Sequence, residues 1–452
     1  MLRTTMVLSG ANLRRHCQRA RLEKSVMPHS PHTARENRGK PLPSSAPGLL
    51  LRSFRHRNFR LFFAGQFVSL VGTWMQSVAV SWLVYRLTGS SLALGMIGFV
   101  SHLPVFALGL WGGYLADRGN KRTILVITQA AAMLQALGLA AIALADVANV
   151  WLIGVLAMLL GVVNAVDMPT RQAFVVEMVG KDDLHNAIAL NSSMFNTARV
   201  LGPALAGVLV AIIGEGWCFL GNGLSYLAVI ASLLGMRLPP AAKPSDRPRM
   251  LAHVGEGLAY AWRDRPIRAI LAGLCITSLF GASYMVLMPV IVDTVLGQGA
   301  RALGFIMAAT GSGSVGAALL LALRRESRGL ERWRLGAGIG FGATLVVFGF
   351  SRVFWLSMLL APLLGFFLIL FFAAANTLLQ LGSPDAMRGR IMALYAITLV
   401  GMAPFGSLFA GVAASLLGAP TAIAVAGACC LAGTLVLSFP RGEAVSPPAT
   451  MP

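Results

Sequence analysis

The chain has 452 residues, of which 56% are hydrophobic and only 12% charged, yet its net charge is +20. A soluble domain carries about 25% charged residues, so half of the usual hydration surface is missing. That excludes an ordinary soluble enzyme, and the basic residues gather in short gaps rather than on the single face that nucleic acid binding needs.

Residues 1–48 carry Arg3, Arg14, Arg15, Arg19, Arg21, Lys24, Arg35, Arg38 and Lys40 against Glu23 and Glu36, with several prolines. No apolar stretch follows the charges, so a cleavable secretory signal is not indicated. An Arg-rich, acid-poor start can mimic a mitochondrial transit peptide. The plainer readings are a disordered basic extension in the cytosol, or an upstream start with Met27 as the true first residue.

From Phe59 onward the sequence predicts twelve apolar spans, each near the roughly 20 residues that cross a bilayer. The first six run over 59–83, 91–116, 123–145, 150–166, 187–213 and 217–236. A polar stretch over 237–268 follows, with Pro239, Pro240, Pro244 and Pro248 ahead of an amphipathic surface helix. The second six run over 269–292, 303–323, 335–350, 355–381, 391–417 and 419–439, leaving a short tail from 441. The expected organisation is therefore the 1–48 extension, a six-helix bundle over 49–236, a linker over 237–268, a second bundle over 269–440 and a tail over 441–452.

Lys and Arg set the orientation. Arg52, Arg55, Arg57, Arg60, Arg118, Lys121, Arg122, Arg171, Lys181, Arg324, Arg325, Arg328, Arg332, Arg334, Arg388, Arg390 and Arg441 fall in gaps on one side, with the linker's basic residues. Only Arg86, Arg301 and Arg352 fall on the other. Both termini are expected in the cytoplasm. The halves also echo each other: Asn164 and Asn376 open similar segments, and Pro203 and Pro404 lie about 200 residues apart. Paired six-helix halves with a site at their interface are a transporter architecture.

Between the second and third spans stands GGYLADRGNKRTIL, with Gly113 for close packing, Asp117 at the end of a helix, Gly119, and Arg118, Lys121 and Arg122 as a basic turn. This resembles the signature loop of the major facilitator superfamily. The fifth span carries ARVLGPALAGVL, similar to the Gly-Pro motif of that superfamily's exporters, including drug–proton antiporters; the usual paired glycine appears here as Ala206-Gly207. With RQAFVVEMVGKDDLHNAIALN and PDAMRGRIMAL, the chain from Leu51 to Phe439 resembles the branch of enterobactin exporters and macrolide efflux pumps (the transmembrane secretion effector type). The resemblance implies an all-α membrane protein of two pseudo-symmetric six-helix bundles that exports a small amphipathic molecule by alternating access. It implies that Asp117 latches onto the N-terminus of the eleventh span, where a helix dipole favours a carboxylate. It also makes protons a candidate coupling ion. The second copy of the loop, LALRRESRGLERWR, lacks the Gly and Asp pattern, so the latch is expected on one side.

Arg199 is the residue least at home in an apolar span. A charge at membrane depth costs at least ~2.5 kcal/mol and is normally paired or lines a cavity. It shares a helix face with Ser192, Asn196 and Pro203. A contact to an anionic substrate and a structural pair with Asp117 or Asp167 both fit. Gln66, Ser69, Thr73 and Gln76 form a second stripe in the first span, flanked by Trp74 and Trp82. Asn164, Asn376, Thr377 and Gln380 extend the expected cavity. Gly202, Pro203 and Gly207 remove bulk where another helix approaches. His102 reads as a packed histidine, and no carboxylate lies clearly in mid-membrane, so coupling through a buried acid has no sequence support. The glycine run from Gly311 to Gly316 lies inside a span without the strand and helix that a dinucleotide fingerprint requires. Cys17, Cys218, Cys275, Cys429 and Cys430 show neither metal nor disulfide spacing. No cofactor is expected, and an importer of another small solute or, remotely, a membrane enzyme are the alternatives. The expected partners are a small-molecule substrate and the lipid bilayer, without nucleic acid, and the chain is expected to be a monomer.

Overall fold

The structure is a computed structural model that describes residues 52–180, 183–237, 250–324 and 329–438. The extension over 1–48, the tail over 441–452 and the proline-rich part of the linker lie outside the described residues.

The described chain is helical throughout. After a 3-10 turn at Arg52–Arg55, the first six helices are α1 (Arg57–Thr88), α2 (Ser91–Arg118), α3 (Lys121–Leu144), α4 (Val150–Val179), α5 (Leu184–Ile213) and α6 (Glu215–Leu234). A linker helix, α7 (Met250–Arg263), precedes α8 (Arg265–Val295), α9 (Ala300–Leu323), α10 (Leu330–Phe350), α11 (Phe354–Gly382), α12 (Asp385–Leu417) and α13 (Ala419–Leu437). Twelve of these are long and apolar enough to cross a membrane. Side-chain caps fix several entries: Ser90 accepts from the amide of Ala93, Asn120 from Thr123, Asn149 from Leu152 and Asp264 from Ile267. Each satisfies a backbone donor that the first turn leaves open.

Three elements differ from the sequence expectation. The fourth helix continues to Val179 and does not end at 166. Pro169 is accommodated within it, so Asp167 and Arg171 lie on a helix and not in a gap. Arg334, expected in a loop, is inside α10 and only 1% exposed, with its guanidinium on both oxygens of Glu331. The third is α8, which is continuous in length but not in type. It passes from α-helix to a π turn at Thr277–Gly281, a 3-10 stretch at Ala282–Leu287 and a second π turn at Ile291–Val295. The chain there reads TSLFGASYMVLMPV, and Gly281 and Pro289 weaken a regular ladder on either side of Tyr284. α12 is interrupted similarly at Met402, two residues before Pro404.

The two halves meet along α2 against α12 and α5 against α9. Both crossings rest on glycines. A Cβ on Gly95 would fall 2.7 Å from the Cα of Gly411, and one on Gly304 would fall 2.4 Å from the Cα of Gly207. These are backbone-to-backbone contacts, and they form a pseudo-symmetric pair. They also reset the expected equivalence of the prolines. One turn before Gly207 stands Pro203, whose carbonyl faces Gly304; one turn before Gly411 stands Ser407, whose carbonyl faces Gly95. Ser407, not Pro404, is thus the counterpart of Pro203, and the counterpart of Arg199 is Ala403.

The halves also touch at Phe99 and Phe106 with Phe405, and at Tyr85, whose hydroxyl donates to Asp293 across 3.3 Å. All of these lie between mid-span and the end away from the basic loops. At the basic end the ion pairs stay within a half or its linker: Arg52 with Asp183, Lys121 with Glu177, Glu256 with Arg390, and Asp385 with Arg388. Among the described residues, the inter-half contacts named above gather from mid-span to the far face, and no ion pair at the basic end joins the two halves.

Candidate functional site

The residues expected to share one cavity divide among three places. The first is a small cleft of about 40 Å³ within the first bundle, lined by Gln66, Thr73, Asn164, Asp167, Arg171 and Tyr226 among others. Asp167 is 1% exposed and accepts hydrogen bonds from Thr128 and Gln129, each at 2.8 Å, as well as from Arg171 one turn along α4. Asp167, expected in a gap between spans, is therefore buried within the first bundle. Asp167 is saturated by its own bundle and is not the partner of Arg199.

The second place is a structural network. Gln76, expected in the cavity, is 3% exposed; it donates to Gln135 on α3 and accepts from Asn222 on α6. It binds three helices of one bundle together and turns away from open space. Asn196 donates to the carbonyl of Ser192 on its own helix, and Asn376 accepts from Gln380 on α11. Neither is joined to the other polar groups. His102 bonds to the carbonyl of Gly98 on its own helix, although it is exposed and not packed.

The third place is Arg199, halfway along α5 at the seam between the halves. Its guanidinium stands 5.7 Å from the ring centroid of Trp74 on α1. Its Nε is enclosed without a hydrogen-bond partner, and among the described residues no ion pair reaches it. Directly behind it, a Cβ on Gly311 of α9 would lie 2.9 Å from the Arg199 carbonyl oxygen. From the other half, Tyr284 is 1% exposed with a hydroxyl that has no hydrogen-bond partner. The Tyr284 ring packs against Phe341 on α10, with centroids 6.2 Å apart. Thr310, next to Tyr284, donates instead to the carbonyl of Ile306. Sequence reasoning found Arg199 and Trp74 but missed Tyr284; the flanking Gly281 and Pro289 within an apolar span were the available signal.

Around this seam the glycines of the Gly-Pro motif pack tightly. A Cβ on Gly202 would fall 2.4 Å from the Cβ of Trp74, so Gly202 lets α1 and α5 close and brings Trp74 beside Arg199. Gly207 does the same for α9, and Pro203 lies inside an unbroken α5.

In the loop between α2 and α3, Asp117 is exposed and makes no hydrogen bond or ion pair among the described residues. Arg118 covers the ring of Tyr114, Lys121 reaches Glu177 on α4 at 2.7 Å, and Arg122 donates to the carbonyl of Leu234 at the end of α6. The last contact places a cation at the negative end of a helix. Gly119 caps α2. Gly113 is partly exposed, and its neighbour Gly112 makes the tight contact to Ala165 on α4. The basic residues thus tie the first bundle together, while the carboxylate stands free at the basic face. Of the described His, Cys, Asp and Glu residues, no three group as metal ligands would.

Twelve spans in two six-helix halves make the major facilitator fold, and solved structures agree. The chain superposes on a bacterial homologue of the human lysosomal transporter Spinster, inward-facing and occupied, with TM-score 0.64, 12% identity and 87% and 96% of the two chains covered. It superposes on a D-xylose–proton symporter with TM-score 0.62, 14% identity and 86% and 97% covered. Residues 50–447 match the family described as transmembrane secretion effector, and the chain belongs to that family. It is an integral membrane protein and not an enzyme. Among curated relatives it is 24% identical to the staphyloferrin A transporter of Staphylococcus aureus, covering 84% of this chain and 95% of that one. It is 26% identical to the multidrug efflux pump Tap of Mycolicibacterium fortuitum, over 82% and 92%. It is also 26% identical to the enterobactin exporter EntS of Citrobacter koseri, over 80% and 86%.

Proposed function

We propose that this protein is a secondary active transporter of the cell (inner) membrane that exports a small amphipathic molecule, siderophore-like or drug-like, by alternating access. The observation that supports the reading is the pair of glycine crossings that join the two halves at the face away from the basic loops. The positive-inside distribution makes the basic face cytoplasmic, with both termini inside. A substrate would enter from the cytoplasm, pass the seam at Arg199, Trp74 and Tyr284, and leave once the halves rock the other way. In that outward stroke Asp117 would engage the approaching N-terminus of α12, as the resemblance implies. The free state of its carboxylate suits a latch that is open.

Export is favoured over import by relatives named as exporters or efflux pumps. The D-xylose–proton symporter shares the fold, so direction must be measured. The working form is a monomer, since both halves of the seam come from one chain. Protons are the proposed coupling ion.

The experiment is uptake of labelled siderophores and macrolides into inside-out vesicles, compared with right-side-out vesicles and with an imposed pH gradient. Accumulation is expected only in inside-out vesicles and only with the gradient. Accumulation confined to right-side-out vesicles would make the protein an importer.

A further inference from the structure

The linker helix α7 has two faces, and only one of them is covered by protein. Ala261 is buried with Ile391 and Leu394 of α12, and a Cβ on Gly257 would fall 3.0 Å from the Cβ of Arg390. Glu256 pairs with the same Arg390 at 2.7 Å, so the helix is fastened to the start of α12. On the second face Leu258 and Trp262, one turn apart, are 56% and 69% exposed. An uncovered indole is out of place in water, but it is what the interfacial layer of a bilayer favours.

The chain then turns at Asp264, whose carboxylate accepts from the amide of Ile267 and starts α8. Around that turn Arg263, Arg265 and Arg268 are exposed, and among the described residues none of them makes an ion pair. Arg268 donates to the carbonyl of Trp262 at 2.8 Å, and its guanidinium stands 5.7 Å from the centroid of the indole. The other acids close by are committed, Glu256 to Arg390 and Asp385 to Arg388. Three guanidiniums therefore face one carboxylate beside an uncovered apolar pair, at the point where the span Arg265–Val295 begins.

We infer that this turn binds the headgroup of an anionic phospholipid, with α7 lying in the interfacial layer of the bilayer. Leu258 and Trp262 enter the acyl boundary, as the apolar face of an interfacial helix does. Arg263, Arg265 and Arg268 meet the phosphate oxygens, which suit planar, forked donors better than point charges. A zwitterionic headgroup brings its own cation to the cluster and is disfavoured. A free phosphate would use the arginines but leave Leu258 and Trp262 uncovered, so the ligand is a lipid. The inference goes beyond the exporter reading and needs only that Arg265–Val295 crosses the membrane.

The test places a fluorophore on Leu258→Cys, in the full chain with its native cysteines replaced. The protein is reconstituted in mixed phosphatidylglycerol and phosphatidylcholine bilayers with identical leaflets. Bromine, a contact quencher, is carried on the acyl chains of one lipid or of the other, with the mixture otherwise unchanged. Both should quench, and brominated phosphatidylglycerol should quench about twofold or more strongly, since basic residues at the surface attract anionic lipid. Replacing all three by Gln (Arg263→Gln, Arg265→Gln and Arg268→Gln) should keep the quenching and erase the preference. The three Arg→Lys changes should keep the preference in weakened form. If the triple Gln variant does not fold, Arg263→Gln and Arg265→Gln are read singly, and each should reduce the preference. No quenching by either lipid, as when a soluble partner covers the face, overturns the inference. So does equal quenching by the two lipids before any arginine is changed, or a preference that the Gln variants leave intact. Because the leaflets are identical and no transport is read, failure of the exporter reading in the vesicle assay is a separate outcome.

Discussion

Asp167 shows how a single buried carboxylate organises a bundle. It takes hydrogen bonds from α3 through Thr128 and Gln129 and from its own helix through Arg171. Replacing it with Ala strands those donors, and breaking a buried pair costs about 3 kcal/mol or more. Asp167→Ala should therefore lower the thermal midpoint in detergent by several degrees, with Asp167→Asn closer to wild type because the amide oxygen still accepts. A midpoint unchanged in both would mean that the cleft tolerates the loss by hydration. Asp117 should behave in the opposite manner. It makes no contact among the described residues, so Asp117→Asn should leave the midpoint alone and reduce transport; full activity in the vesicle assay would remove it from the mechanism. Chemistry alone could not have separated these two aspartates in the sequence. Both stand in Asp-containing runs near basic residues, and only the continuation of α4 through Pro169 puts one of them indoors.

At the level of the helices, the glycine crossings make a sharper demand than any side chain. Gly95 faces the backbone of Gly411, and Gly304 faces that of Gly207, so there is no flexible group to give way. Gly95→Ala and Gly304→Ala should each push their pair of helices apart and favour the state open at the far face. Cross-linking between cysteines at Tyr85 and Asp293, which meet in the closed state, is expected to fall several-fold in either variant. Undiminished cross-linking would show that closure does not depend on these crossings. The periodicity of the sequence gave spans to within a few residues except where polar residues stayed helical, as in α4. It did not reveal the changes of helix type in α8, because hydropathy averages over a turn and is blind to hydrogen-bond register. The stripe in α1 divides for a related reason. Gln66 and Thr73 face the cleft and Gln76 faces Gln135 and Asn222, although all three share a sector of the helix; spacing gives direction but not the depth of the neighbour.

Taken whole, the molecule is two bundles joined near one face, with most of its positive charge at the other. That asymmetry predicts topology: cysteines replacing Arg118 or Arg388 should react with an impermeant maleimide from the cytoplasmic side, and one replacing Arg352 only from outside. Reversed labelling would invert the orientation and with it the sense of transport. The basic residues between Arg52 and Arg60 carry the same signal, so a chain begun at Leu49 should insert and transport like the full one. The overall architecture was readable because lipid imposes length, polarity and loop charge on every span at once. The seam was readable only in part, because the burial of Tyr284 is set by packing that hydropathy does not show.

The tightest far-face crossings are main chain meeting main chain, and they stand apart from Arg199, Trp74 and Tyr284. Trp74 and Tyr284 contribute nothing to the far-face crossings, and Gly95, Gly207, Gly304 and Gly411 have no side chain with which to read a solute. Such a machine is free to drift in what it carries while keeping how it carries it. If Arg199 lies on the path of the cargo, as proposed above, changes around it should alter what is carried and leave the glycine crossings untouched.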